Sequence, residues 1–117
     1  MDTLVPVQVL RIFCGEATRH DGMPLYEALV KAARGCGMAG ATVVRGFMGF
    51  GADSLLHTAK ILRLSEDLPV IVEFVDTPVR MAEFLPVVQA MVVKGTLVLQ
   101  EARGAMRPPP HRPDGTD

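Results

Sequence analysis

The sequence predicts an α+β sandwich in the order βαββαβ, a four-stranded antiparallel sheet carrying both helices on one face. Three observations predict it. Four β-branched apolar runs are spaced along the chain, and two stretches of helical periodicity each open on a proline. The second and third apolar runs are separated by about twenty residues, too many for a hairpin loop.

Each element has its own justification. Residues 5–14 are apolar on both parities, with Leu10, Ile12 and Cys14 on one face and Val7, Val9 and Phe13 on the other, which describes a strand covered on both sides. After the polar turn "GEATRHDGM", Pro24 suits a first helical turn. Leu25, Ala28, Leu29, Ala32 and Cys36 follow at helical spacing and Gly35 and Gly37 supply a stop, so a helix is expected over residues 24–34. "GATVVRGF" at residues 40–47 reads as the second strand and "LPVIVEFVD" at residues 68–76 as the third. The connection between them, through "LLHTAKILRLS", has room for a helical turn and a short strand.

Thr77 offers an N-cap and Pro78 a first-turn proline ahead of Met81, Phe84, Leu85, Val88, Met91 and Val92 at helical spacing. Pro86 interrupts that pattern, and the loss of one backbone hydrogen bond at a cost of roughly 3 kcal/mol predicts a kink. Gly95 ends the second helix, and "TLVLQEA" at residues 96–102 is the fourth strand. Residues 1–104 therefore form one domain, and residues 105–117, ending in "RPPPHRPDGTD", read as a disordered proline-rich tail. This is the split arrangement of a ferredoxin-like sandwich. It leaves one sheet face without helices, yet Val7, Val9 and Phe13 make that face too apolar for water, and a second copy of the chain is the expected cover.

Composition narrows the function. The chain of 117 residues is 49% apolar and 21% charged, enough to bury one core and to set wholesale disorder aside. Twelve basic and 13 acidic residues leave a net charge of −1, which gives no electrostatic footprint for nucleic acid or an anionic membrane. No basic region precedes an apolar stretch and cleavage site at the start, and no apolar run approaches the ~20 residues needed to span a bilayer. Cys14 and Cys36 are not a Cys-x-x-Cys pair and have apolar neighbours, so they are expected as reduced, mostly buried thiols in a cytoplasmic protein.

The glycines admit two readings. "GCGMAG" has dinucleotide-fingerprint spacing but follows a helix and precedes a strand, the reverse of what phosphate binding needs. "GFMGFG" at Gly46, Gly49 and Gly51 lacks the Lys-Ser or Lys-Thr of a Walker loop. It serves either as flexible strand-end backbone or as a place where backbone N–H groups approach a ligand phosphate. Asp53 and His57 at i, i+4, beside Ser54 and Lys60, supply too few ligands for zinc, and nothing resembles a nucleophile elbow, so no metal and no catalytic residue are assigned. Glu16, Arg19, His20 and Asp21 crowd one turn, read as surface turn chemistry. Arg11 and Arg45 lie in strands, with Glu73 as a counter-charge; each is read either in a structural ion pair or meeting a ligand anion.

"GEATRHDGMPLYEALVKAARGCG", "GMAGATVVRGFMGFG" and "LSEDLPVIVEFVD" together resemble the PII-like family designated domain of unknown function one hundred and ninety, across nearly the whole chain outside the tail. More distantly the chain is similar to the PII signalling proteins. The resemblance implies a trimer with its sheets facing the centre, clefts between subunits that bind adenine nucleotides in PII proteins, and a mobile loop, here residues 47–67, that touches membrane transporters. Its implied ligand contacts are Gly40, Ala41 and Thr42, then Gly49, Phe50 and Gly51, with Glu73 and Arg103 beyond them. A fluoride-channel-type membrane protein is the partner class it suggests. Where PII proteins carry a Gly-Asp-Gly-Lys-type phosphate loop, this chain has only "KGT" at Lys94, Gly95 and Thr96, which leaves the cofactor open between an adenine nucleotide, another small ligand and none. The function so implied is non-enzymatic regulation by a homotrimer. The alternatives are a small enzyme on a phosphorylated or nucleotide substrate, with His20, His57, Glu16, Asp53 or Glu73 as base, and a structural trimeric adaptor.

Overall fold

The computed structural model describes residues 3–51, the backbone of 57–58, and residues 67–107. Its main sheet holds β1 (Val5–Gly15), β2 (Thr42–Arg45), β3 (Pro69–Asp76) and β4 (Thr96–Gly104), with α1 (Leu25–Gly35) between the first two and α2 (Pro78–Met91) between the last two. The sheet order is β2-β3-β1-β4, every neighbour antiparallel, which is the expected ferredoxin-like topology. Asn- or Asp-Gly turns favour tight hairpins, and Asp21 and Gly22, both at positive φ, close a small one in which His20 pairs with Met23. A second short pairing joins Met48–Gly49 to His57–Thr58, which supplies the short strand expected in the long connection. The remainder of that connection, with Asp53, Ser54 and Lys60, lies outside the described residues, as do residues 108–117 of the expected tail.

The core forms between the sheet and the helices. Leu10 and Ile12 of β1 and Val70, Val72 and Phe74 of β3 meet Leu25, Leu29 and Ala33 of α1 and Met81, Phe84 and Val88 of α2. Phe74 and Phe84 pack edge to face, ring centroids 5.0 Å apart, a geometry that places the positive edge of one ring on the negative face of the other. Among the described residues no helix is long and apolar enough to cross a membrane.

Several boundaries differ from the sequence reading, each for a local reason. Pro24 is the N-cap of α1 rather than its first turn, with ψ at 137°, so the helix begins at Leu25. Cys36 then falls beyond the last turn as the C-cap and is exposed, and Cys14 is only half-buried, which corrects the expectation of two mostly buried thiols. Gly37, at φ 76°, turns the chain; its N–H donates to Arg34 O (3.2 Å) and that of Met38 to Ala33 O (3.0 Å), the paired bonds of a Schellman stop. β2 is shorter than expected, and Gly40 and Ala41 precede it instead of lying on it. α2 ends at Met91, ahead of Gly95, where Val92 turns to an extended conformation. The helix runs through Pro86 as one element; Pro86 and Ala82, whose carbonyl loses its partner, are both exposed, so water can take the acceptor.

One buried charge ties the junctions together. Asp76, fully buried at the end of β3, accepts hydrogen bonds from the N–H of Thr77 (2.7 Å) and of Ala39 (2.9 Å), and Arg80 lies 3.9 Å away. Thr77 in turn caps α2, its Oγ1 accepting from Arg80 N at 3.3 Å. The carboxylate thus holds the start of α2 against the segment that feeds β2. Replacing Asp76 by Ala removes the acceptor of two part-buried N–H groups, and we expect a loss of about 1–3 kcal/mol in urea unfolding, with Asp76→Asn losing less. A change under about 0.5 kcal/mol would refute the role.

The face of the sheet without helices carries Val9, Phe13, Val44, Ile71, Val75 and Val98, all partly or largely exposed. Val7, expected among them, is instead buried, close to Gly104. In the middle of this face Arg11 Nε donates to Glu73 at 2.8 Å and Arg11 Nη1 to Gln100 at 2.9 Å. The face is therefore an apolar field crossed by one polar row.

Candidate ligand cleft

One end of the sheet, where β1 stops and β3 and β4 begin, opens into a cleft of about 480 Å³, a size that suits a small-molecule site. Its walls come from four places far apart in sequence. Phe13, Cys14 and Gly15 end β1; Gly46, Met48, Gly49, Phe50 and Gly51 form the root of the long connection; Asp67 and Pro69 precede Val70; and Lys94, Gly95 and Thr96 join α2 to β4.

The glycines explain how these walls come so close. A Cβ on either Gly46 or Gly49 would stand 3.0 Å from Pro69 Cγ, and Gly46 N donates to Pro69 O at 2.7 Å. At Gly15 a Cβ would collide with the Asp67 carboxylate, which accepts from Ala17 N at 3.1 Å. Gly95, at φ 139°, brings its backbone against β1; a Cβ there would lie 2.8 Å from the Phe13 carbonyl oxygen. The glycines thus leave room for the Asp67 and Pro69 side chains on one side of the opening and for the Phe13 carbonyl on the other. The strand-end reading and the ligand reading of "GFMGFG" therefore concern the same residues: they pack on Pro69 and they line the cleft.

The sequence-assigned residues divide. Gly49, Phe50 and Gly51 line the cleft together. Arg45, at the cleft end of β2, has its guanidinium 3.5 Å from Glu16. Thr42 and Glu73 are cross-strand neighbours on the face without helices, where Glu73 holds Arg11. Gly40 and Ala41 precede Thr42, away from the cleft, and Arg103 at the opposite end of β4 donates to Leu4 O at 2.8 Å. A single subunit does not gather the whole set. Arg19 and His20 stay local, with Arg19 Nη2 donating to Gly22 O (2.6 Å) and His20 Nε2 3.4 Å from Asp21.

Sequence reasoning passed over Asp67, Lys94, Gly95 and Thr96. The short "KGT" connection looked like a deletion, yet its Lys-Gly pair sits at the mouth of the cleft. A lysine and a glycine immediately before a strand that must approach its neighbour was the available signal. Among the described residues no group of three or more His, Cys, Asp or Glu is placed to hold a metal ion.

Burial, and after it the negative charge of Asp67, push the Cys14 thiol up to about 11. Both effects disfavour the thiolate, so Cys14 carries no nucleophile at neutral pH. In the native protein at pH 8 we expect Cys36 to react with a thiol reagent at least about tenfold faster than Cys14, and Cys14 to gain reactivity only as pH approaches its raised value or in denaturant. Equal rates at pH 8, resolved by peptide mass spectrometry, would contradict this environment.

Comparison with known proteins places this geometry. The DUF190 family model, described as "Uncharacterized ACR", matches residues 7–104. A "UPF0166 protein" of Aquifex aeolicus is 35% identical over 82 residues, covering 70% of this chain and 78% of its own. Another from Methanocaldococcus jannaschii is 29% identical over 96 residues, covering 82% and 88%. Among solved structures, CPII of Thiomonas intermedia, a nitrogen regulatory PII-like protein, bound to ADP, AMP and bicarbonate, is similar with a TM-score of 0.60 at 16% identity, covering 92% of that chain and 90% of this one. A protein of Thermus thermophilus described as PII-like signaling is similar with a TM-score of 0.55 at 19% identity, covering 91% of that chain and 89% of this one.

Proposed function

Because this chain belongs to the DUF190 family and has the fold of PII-like proteins, we propose that it is a regulatory protein that binds a small effector. In this reading it is a homotrimer with clefts between subunits, and residues 47–67 carry the state of the cleft to a partner. The observation that carries the reading is the construction of the cleft on the root of that segment: Gly46, Met48, Gly49, Phe50 and Gly51 form one wall, so a ligand seated there bears directly on the backbone that leads into it. A ligand that prefers one arrangement of the segment shifts the population toward it, and the partner reads the difference.

The trimer is supported by the second sheet face, apolar and left uncovered by the described residues of one chain. In such an assembly a neighbouring subunit would bring its Arg103, and residues near Gly40, Ala41 and Thr42, toward the cleft that Gly49, Phe50 and Gly51 begin. Arg45 and Glu73, engaged with Glu16 and Arg11, take supporting positions. Lys94 gives the described wall an ammonium group, which favours an anion or a phosphorylated ligand. The ligands held by CPII, namely ADP, AMP and bicarbonate, are the first effectors to test here. A membrane transporter or fluoride-channel-type protein is the proposed partner class, with the chain acting in the cytoplasm.

Thermal denaturation tests the reading directly. An effector at about 100 times its dissociation constant stabilises the native state by roughly 2.7 kcal/mol, and for a domain of this size we expect a rise in Tm of at least about 5 °C. Lys94→Ala is expected to remove most of that shift for an anionic ligand. No shift with nucleotides, bicarbonate or simple anions would leave the adaptor reading in its place, and steady turnover of a nucleotide would favour the enzyme.

A further inference from the structure

The polar row on the open face of the sheet has more hydrogen-bonding capacity than its own chain uses. Glu73 on β3 is directly opposite Arg11 on β1, and Gln100 on β4, opposite Val9, meets Arg11 on the diagonal. Of the five N–H donors of a guanidinium, Arg11 spends two, on Glu73 Oε2 (2.8 Å) and Gln100 Oε1 (2.9 Å). Glu73 Oε1 and the two amide hydrogens of Gln100 are in no hydrogen bond among the described residues. The side chains of Arg11 and Glu73 are 35% and 36% exposed, so this capacity now faces water, surrounded by Val9, Phe13, Ile71, Val75 and Val98.

If the apolar surround is covered by anything apolar throughout, these groups lose water and gain nothing, which costs free energy for each orphaned donor or acceptor. A suitable cover must offer donors and acceptors at the centre of an apolar patch. A second copy of the same face does so, because the row is self-complementary: it carries an unspent carboxylate oxygen beside unspent guanidinium and amide hydrogens, with no net charge. We propose that the row Glu73–Arg11–Gln100 is a polar pin between copies of this chain, in which the carboxylate of one subunit accepts from Arg11 or Gln100 of the next and so fixes how the subunits are rotated and how many close the ring. The inference rests on the trimeric reading above and adds to it the residues that specify its geometry. Apolar contact alone is non-directional and gives affinity without register. A buried polar group supplies the register at some cost in stability.

Native mass spectrometry and light scattering test the pin with two oppositely charged variants, Arg11→Glu, which makes the row acidic, and Glu73→Lys, which makes it basic. With circular dichroism confirming folded subunits, each variant alone is expected to assemble at least tenfold more weakly than the native chain, and their mixture to form assemblies containing both. Native-like trimers of each variant alone, or no mixed assembly, would overturn the pin. Should either variant fail to fold, the triple neutral variant Arg11→Met, Glu73→Leu, Gln100→Leu decides: a spread of stoichiometries supports the pin, and a single trimer as in the native chain overturns it. A native chain that is monomeric under the same conditions would remove the trimer itself and the pin with it, whereas a native trimer indifferent to these substitutions removes the pin alone.

Discussion

The central strand β1 is apolar on both of its faces, and the rest of the molecule responds to that constraint. Leu10 and Ile12 are fully buried beneath the two helices, which use up one side. Phe13 and Val9 point the other way, where no described helix of this chain covers them. Burial of apolar surface is the main favourable term in folding, and a strand that satisfies only half of it inside one chain carries the remainder to the outside. The sheet therefore organises two boundaries at once. One is the core that holds the chain together, and the other is an apolar surface that the described residues leave open.

The ends of the strands do different work from their faces. At the end where β1 stops, glycines of three segments sit against the Asp67 and Pro69 side chains and the Phe13 carbonyl, where a Cβ would crowd or collide, and the cleft is the space left over. Its walls contain few ionisable groups, and the thiol nearest its floor is held protonated. Gly46, Met48, Gly49, Phe50 and Gly51 of those walls also start the segment that leaves the sheet, so the cleft and the long connection share one piece of backbone.

Much of this was legible in the sequence because it is written in periodicity. Alternation on β1 and β3, the spacing of Met81, Phe84 and Val88, and the prolines at positions 24 and 78 gave the order and the topology. The glycine cluster around Phe50 lies on one wall of the cleft. What periodicity could not carry is contact between distant segments. Asp67 filling the place of a Gly15 side chain, Gly95 pressed on the Phe13 carbonyl, and Asp76 bonded to Ala39 all join residues tens of positions apart, and nothing in their local pattern announces the partner. Cys36 was misjudged for a related reason: its apolar neighbours were visible, but the turn that carries it past the helix end depends on the backbone geometry at Gly37.

The buried carboxylate at the close of β3 has a mechanical consequence. By gripping the peptide that leads into β2, it moors that edge strand at its origin, while the strand's far extremity runs into the cleft and onward. At that far extremity Gly46 N donates to Pro69 O, so the edge strand is fastened to β3 at both ends. One side chain thereby couples the helical layer to the sheet's outermost strand, through the start of α2 and the peptide that feeds β2.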